Sequence, residues 1–185
     1  MDNIFLFTIY SMILFMPAYI ANPGAVITGG HFRIDMGKSF HNKRILGDGK
    51  TWSGLIGGTL IGMLSGLIIF YILELVHSSY GNYSSNLLGA LYVLFIMSFG
   101  SLFGDIAGSF IKRRLGMKRG ARGSILDQWP FVIMSFIFLL FFARAFFIKF
   151  YGDTIPIIVL LIITPPVHRG VNVLAHKLKM KDVPW

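Results

Sequence analysis

The chain contains no cysteine. That excludes disulfides, thiolate catalysis and cysteine-ligated metal sites. It is also poor in charge: only 14% of its 185 residues are Asp, Glu, Lys or Arg, against about 25% in soluble domains. Acidic residues are scarcest, eight against 17 Lys and Arg, which leaves a net charge of +9. There is no repeat of 20–50 residues and no low-complexity tract, so the chain reads as one domain, 1–185. The first apolar run has no basic region before it and no A-x-A-like cleavage site. It is expected to be a retained span rather than a signal peptide.

What is abundant is hydrophobic sequence, 55% of the chain, with a mean hydropathy of +0.69. A membrane-spanning helix needs about 20 apolar residues. Five runs meet that length, at roughly Ile4–Ala21, Gly54–Val76, Leu87–Ile111, Trp129–Ile148 and Thr154–Val173. The expected fold class is therefore an all-α integral membrane protein of five transmembrane helices. Its long connections cover residues 22–53 and 112–128.

Orientation is read from Lys and Arg. Fifteen of the 17 lie in the two long loops and the C-terminal segment; Arg144 and Lys149 are the exceptions. By the positive-inside rule both loops face the cytoplasm and the N-terminus lies outside. The protein is expected to be a multi-pass protein of the cell (plasma) membrane with its chemistry facing the cytoplasm. The same cations suit anionic headgroups. No nucleic-acid-binding motif is present, and nucleic acid is excluded as a partner.

Glycine recurs every four residues in the second run (Gly54, Gly58, Gly62, Gly66) and the third (Gly100, Gly104, Gly108). Such seams let helix backbones approach closely, so these two spans are expected to touch. Pro165–Pro166 is expected to kink or end the fifth span, because proline removes a helix hydrogen bond and clashes with the preceding turn.

A carboxylate inside a span is costly and normally faces protein, a cavity or a cation. Asp105 is such a residue, about two turns before Lys112. With Ser101 and Ser109 it shares one helical face, which Lys112 continues. It reads either as a structural ion pair or as a metal ligand or proton site. The loop "KRRLGMKRGARGSILDQWP" then places six cations before a second carboxylate, Asp127. Carboxylates, waters and phosphate oxygens are what Mg²⁺ prefers, and Arg and Lys bind phosphate. Asp105 and Asp127 are thus the candidate Mg²⁺ ligands. Lys112, Arg113 and Arg114 are candidate phosphate contacts, with topology and lipid contact as their plainer roles.

The first long loop ends in "GDGKT". It is not a P-loop, since Arg44 stands where the first glycine should be and no strand precedes it. Gly47–Thr51 can still offer amides, Lys50 and the Thr51 hydroxyl to a phosphate, or simply cap the next helix through Thr51 or Ser53. The five histidines have no metal-ligand spacing and are taken as non-ligands.

These segments carry a resemblance. "KTWSGLIGG" (Lys50–Gly58) is similar to the K-T-x-E-G-x-x-G-G segment of phosphatidate cytidylyltransferases, with Ser53 in place of Glu. Gly104–Asp105, Ser109, Lys112–Arg113 and Asp127 follow the order of that family's G-D, S, K-R and final aspartate. "RGARGSILDQWP" stands where that family has P-G-H-G-G. Over nearly its full length the chain resembles the archaeal CDP-archaeol synthases, through Asn22, Ile34–Asp35, Gly37, Leu46–Trp52 and Gly104–Arg114. The resemblance implies a CTP-dependent nucleotidyltransferase of phospholipid biosynthesis. Its partners would be CTP, an isoprenoid ether lipid phosphate (unsaturated archaetidic acid) and the bilayer; its products, CDP-archaeol and pyrophosphate; its cofactor, Mg²⁺. Catalytic roles would fall to Asp105, Asp127, Lys50 and Lys112. Substrate and nucleotide binding would fall to Asp35, Lys38, Arg44, Asp48, Thr51, Ser109, Arg113 and Arg114, with Asp35, Lys38 and Asp48 shaping the loop over the nucleotide. Two rivals stay open, a CTP-dependent polyprenol kinase and an ion-coupled transporter. So does assembly as a homodimer.

Overall fold

The computed structural model describes residues 2–117, 125–177 and 179. Lys118, Arg119, Arg122 and Lys181, four of the cations used for orientation, lie outside the described residues. Eight helices and one small hairpin are present among the described residues: α1 Asp2–Leu14, α2 Met16–Thr28, β1 Ser39–Phe40, β2 Lys43–Arg44, α3 Trp52–Leu75, α4 Leu87–Arg114, α5 Ile125–Gln128, α6 Pro130–Phe142, α7 Arg144–Tyr151 and α8 Thr154–Lys177.

Among the described residues four stretches are long and apolar enough to cross a membrane: Ile4–Thr28, Trp52–Leu75, Leu87–Arg114 and Thr154–Val173. The protein is a multi-pass membrane protein. The first stretch joins α1 and α2, and helix continues through Pro23 to Thr28, past the expected end at Ala21. Side chains tie this stretch to its neighbours. The Asn22 amide donates to Ala18 O and to Ser101 Oγ (3.3 and 2.9 Å). At the α1–α2 joint, Tyr83 and Tyr151 hydroxyls donate to Leu14 O and Ser11 O (3.1 and 2.9 Å). Neighbouring side chains satisfy backbone groups that a membrane cannot.

The expected fourth span, 129–148, is not one helix. It breaks at Ala143 (φ −130°, ψ 47°), leaving α6 with 13 residues and α7 with eight. In contrast, α8 runs through Pro165–Pro166 to Lys177, so the expected end there is not observed. The Thr164 hydroxyl bonds Leu160 O (2.6 Å) and the Tyr19 hydroxyl (2.7 Å), fastening the turn before the prolines to α2.

The glycine seams pack closely, but not as one pair. The start of α3 meets α2: a Cβ on Gly58 would lie 2.7 Å from Ala21 O, and one on Gly54 2.9 Å from Ala25 O. Farther along, Gly62 and Gly66 face Ser98 and Leu94 of α4, as expected for spans two and three. The α4 seam, however, faces α6. A Cβ on Gly104 would sit 2.7 Å from Phe131 Cα, and one on Gly100 2.9 Å from Phe138 Cβ. Helix α4 is therefore the central post, close to α3 on one side and to α6 on another. Around it lies a core of buried aromatic and aliphatic side chains, including Phe15, Leu94, Met97, Val132, Leu139 and Tyr151.

Candidate active site

The site forms where α3 begins and α4 ends. Thr51 caps α3, its hydroxyl accepting from Gly54 N (3.1 Å) and also from Gly30 N (3.3 Å). Helix capping, one of the two roles open to this residue, is thus in place. Lys50 precedes the cap and reaches α4, where its ammonium donates to Asp105 Oδ2. Their side chains are 22% and 36% exposed. Beside them is a cavity of about 70 Å³, lined by Asn22, Ile34, Gly49, Lys50, Thr51 and Asp105 among others. Farther along α4, the Lys112 ammonium donates to Asp127 Oδ1 on the single-turn α5. Lys112 and His168 lie within electrostatic range of Asp105. The four residues given catalytic roles thus fall into two Lys–Asp pairs, about two helical turns apart along α4.

The binding residues divide into two groups. Asp35, Arg44 and Asp48 tie the loop 29–51 into a knot. Asp35 Oδ1 accepts from Gly37 N and Arg44 Nη2 (both 3.0 Å), and Oδ2 accepts from Leu46 N and Gly47 N (both 3.1 Å). Asp48 Oδ1 accepts from Arg44 Nη2 (3.0 Å) and Arg33 Nε (3.1 Å). Burial works against the charge of Asp35. Arg44 and the N–H groups of Gly47, Gly37 and Leu46 outweigh it and hold the carboxyl well below its usual range. The tip is a two-residue hairpin turn at His41–Asn42, both at positive φ (49° and 56°), as such turns require. Lys38 joins through its backbone, accepting at O from Ile45 N (3.2 Å), while its side chain is exposed.

Arg114 locks the knot to α4. Its guanidinium donates to Phe40 O, Lys43 O and Arg44 O (2.7, 3.0 and 2.7 Å) and stacks on the Phe40 and Phe110 rings. Ser109 is buried on the α4 face toward the site, and Arg113 is half-buried one turn on. Ser101, on the same face as Asp105, is buried against α2 and donates to Ala18 O (2.6 Å).

A family model described as CarS-like, CDP-archaeol synthase, matches residues 1–185. The chain belongs to the CDP-archaeol synthase family. It is 67% identical over 177 residues to the CDP-archaeol synthase of Picrophilus torridus, 96% of each chain. The Pyrococcus horikoshii CDP-archaeol synthase is 42% identical over 174 residues, 92% of each chain. A solved structure described as an intramembrane enzyme for archaeal membrane lipids biosynthesis shares the fold at a TM-score of 0.69 and 30% identity. That match covers 88% of this chain and 92% of the other.

Beside this candidate site stands His168, one of the histidines taken as non-ligands. It stands on α8, stacked on Phe131 (centroids 6.2 Å apart), with Nδ1 3.2 Å from the Asn172 amide. Its i,i+4 spacing to Asn172, on a face that also carries Thr164 and His176, is legible in the sequence. Among the described residues no group of three or more His, Asp or Glu could cage a metal. Mg²⁺ does not need one, since one or two carboxylates plus substrate phosphates commonly hold it. Asp105 and Asp127, the carboxylates expected to hold it, each face a lysine ammonium.

Proposed function

We propose that this chain transfers a cytidylyl group from CTP to unsaturated archaetidic acid, an isoprenoid glycerol-ether lipid phosphate, giving CDP-archaeol and pyrophosphate. Two Lys–Asp pairs along the last turns of α4, beside the basic loop 29–51, support this reading. An oxygen of the lipid phosphate attacks the α-phosphorus of CTP. The bond from that phosphorus to the bridging oxygen breaks, and pyrophosphate leaves. The attacking oxygen is already anionic at neutral pH, so no general base is needed. The protein's work is to position two polyanions and to stabilise charge developing on the leaving oxygen.

Lys50, Lys112 and Arg113 would neutralise the phosphates, and Thr51 and Ser109 would line the nucleotide's path. Release of each lysine toward phosphate would free a carboxylate. Asp105 and Asp127 would then hold Mg²⁺, which when bound neutralises phosphate oxygens. Asp35, Arg44, Asp48 and Arg114 would act by fixing the loop over the nucleotide, with Lys38 at its exposed edge. The chain would cross the plasma membrane five times, α6 and α7 forming the fourth crossing. The Lys and Arg bias supports an N-terminus outside and the site facing the cytoplasm.

The test uses α-labelled CTP with archaetidic acid and the purified chain. Label is expected in the lipid phase with release of pyrophosphate. Label absent from lipid would sink the proposal, and γ-label appearing there instead would mark a kinase.

A further inference from the structure

A second cavity, of about 710 Å³, opens at the other end of the bundle, between the connection 76–86, the start of α4 and the α6–α7 corner. Gly89 and Tyr92 line it. Asp105 is roughly 20 Å farther along α4, at about 1.5 Å per residue. The two cavities therefore lie toward opposite faces of the membrane.

Arg144 and Lys149, the two cations outside the basic loops and C-terminal segment, both line this cavity. The Lys149 ammonium packs against Gly81 and lies 5.1 Å from the Phe150 ring centroid. Among the described residues nothing pairs with the Arg144 guanidinium. One acid, Glu74, also lines the cavity; its carboxylate accepts from the Asn82 amide (3.1 Å), leaving two cations against one carboxylate. Apolar lining comes from Leu73, Val93, Phe142 and Phe146, beside the polar residues of the connection, and Phe142 is 56% exposed, as are its neighbour Phe141 (75%) and Leu88 next to Gly89 (80%).

Depth sharpens the chemistry. Helix α6 has 13 residues, about 20 Å of rise, short of a hydrocarbon core of about 30 Å. The corner therefore sits deeper than headgroups ordinarily do. Tyr92 donates to Phe142 O there (3.0 Å), satisfying a carbonyl freed by the break. A guanidinium at that depth is costly without an anion.

We propose that this cavity binds the phosphate headgroup of an anionic lipid from the leaflet opposite the Asp105 site. Arg144 and Lys149 hold the phosphate, and the chains run along Leu88 and Phe141. The apolar share of the lining, with the exposed Phe141 and Leu88 beside it, favours a lipid over a water-soluble anion.

The test is native mass spectrometry of the full chain in detergent, titrated with phosphatidylglycerol, phosphatidylcholine or inorganic phosphate. Phosphatidylglycerol is expected to bind in preference to phosphatidylcholine and to resist displacement by inorganic phosphate. Arg144→Gln with Lys149→Gln should weaken it roughly 10- to 30-fold, the electrostatic share of two cations at a headgroup. Arg144→Lys with Lys149→Arg should retain it, with cytidylyl transfer unchanged. Equal binding in the Gln pair, equal binding of the two lipids, or full displacement by inorganic phosphate would each overturn the proposal. Should the Gln pair fail to fold, the wild-type lipid preference and the charge-preserving pair still decide it.

Discussion

Asp35 and Asp105 both face cations, yet the two regions use their carboxylates in opposite ways. The Asp35 carboxylate is wholly enclosed, filled by Arg44 and three backbone N–H groups. The Asp105 carboxylate is 36% exposed, is met by Lys50 and borders a cavity. A carboxylate has about four lone-pair sites. Asp35 has spent its capacity on backbone shape, while Asp105 keeps acceptor capacity facing open space. A residue conspicuous in sequence can therefore serve either the loop or the reaction, and only its partners tell which.

The comparison breaks first at Asp105. Asp105→Asn, and separately Asp127→Asn, should each lower cytidylyl transfer roughly 100-fold or more, the scale of losing one electrostatic element of an active site. Membrane insertion and thermal unfolding should stay near wild type. Turnover close to normal in either variant would remove that residue as a metal ligand.

Asp35→Asn should act through the loop instead. It takes one carboxylate from Arg44, which keeps Asp48, and weakens the acceptor for three backbone N–H groups. Hydrogen exchange at the Gly37, Leu46 and Gly47 amides should accelerate while α4 amides stay protected. The KM for CTP should rise more than kcat falls. A pure kcat loss with an intact exchange pattern would place Asp35 in the chemistry and erase the contrast.

Arg114→Lys is gentler. It keeps the charge but gives up a planar fork that meets three carbonyls. The hairpin should loosen from α4 by about 1.5–3 kcal/mol, read as faster exchange across residues 39–44 with a smaller change in activity. Unaltered exchange there would mean the lock is not needed.

The smallest effect concerns pH. A carboxyl depressed in the fold contributes stability above its unfolded pKa, and that contribution is lost as pH falls through the folded value. Asp35 is depressed from 3.8. Loop protection should therefore be flat from pH 8 down to about pH 4 and lost only in stronger acid. Loss of protection near pH 6 would show that another group holds the loop.

Much of this was legible in the sequence. Four of the five expected spans follow from apolar length, and Asp105 stood out because a carboxylate in lipid demands a partner. The partner was not legible: Lys50 and Asp105 meet only because glycines let α2, α3 and α4 close up. The seams announced close approach but not with whom, since the faces of Gly100, Gly104 and Gly108 are set by the rotation of α4 against α6. Asp35 looked like a nucleotide-loop residue. Its role as an anchor depends on backbone N–H groups oriented by turns at Gly37 and Gly47, both at positive φ (79° and 100°). The break at Ala143 carries no proline or glycine to announce it.

The base of the long loop has a consequence for its evolution and engineering. Ile34 N donates to Lys50 O (2.9 Å) and Trp52 N to Phe32 O (2.8 Å), so the loop is cinched where it leaves the helices. Length beyond the cinch is nearly decoupled from the position of Lys50. Doubling a closed loop costs only about 0.6 kcal/mol, so residues inserted at His41–Asn42 should be tolerated. The hairpin tip is a place to graft a label or an epitope while Lys50 stays in register with Asp105.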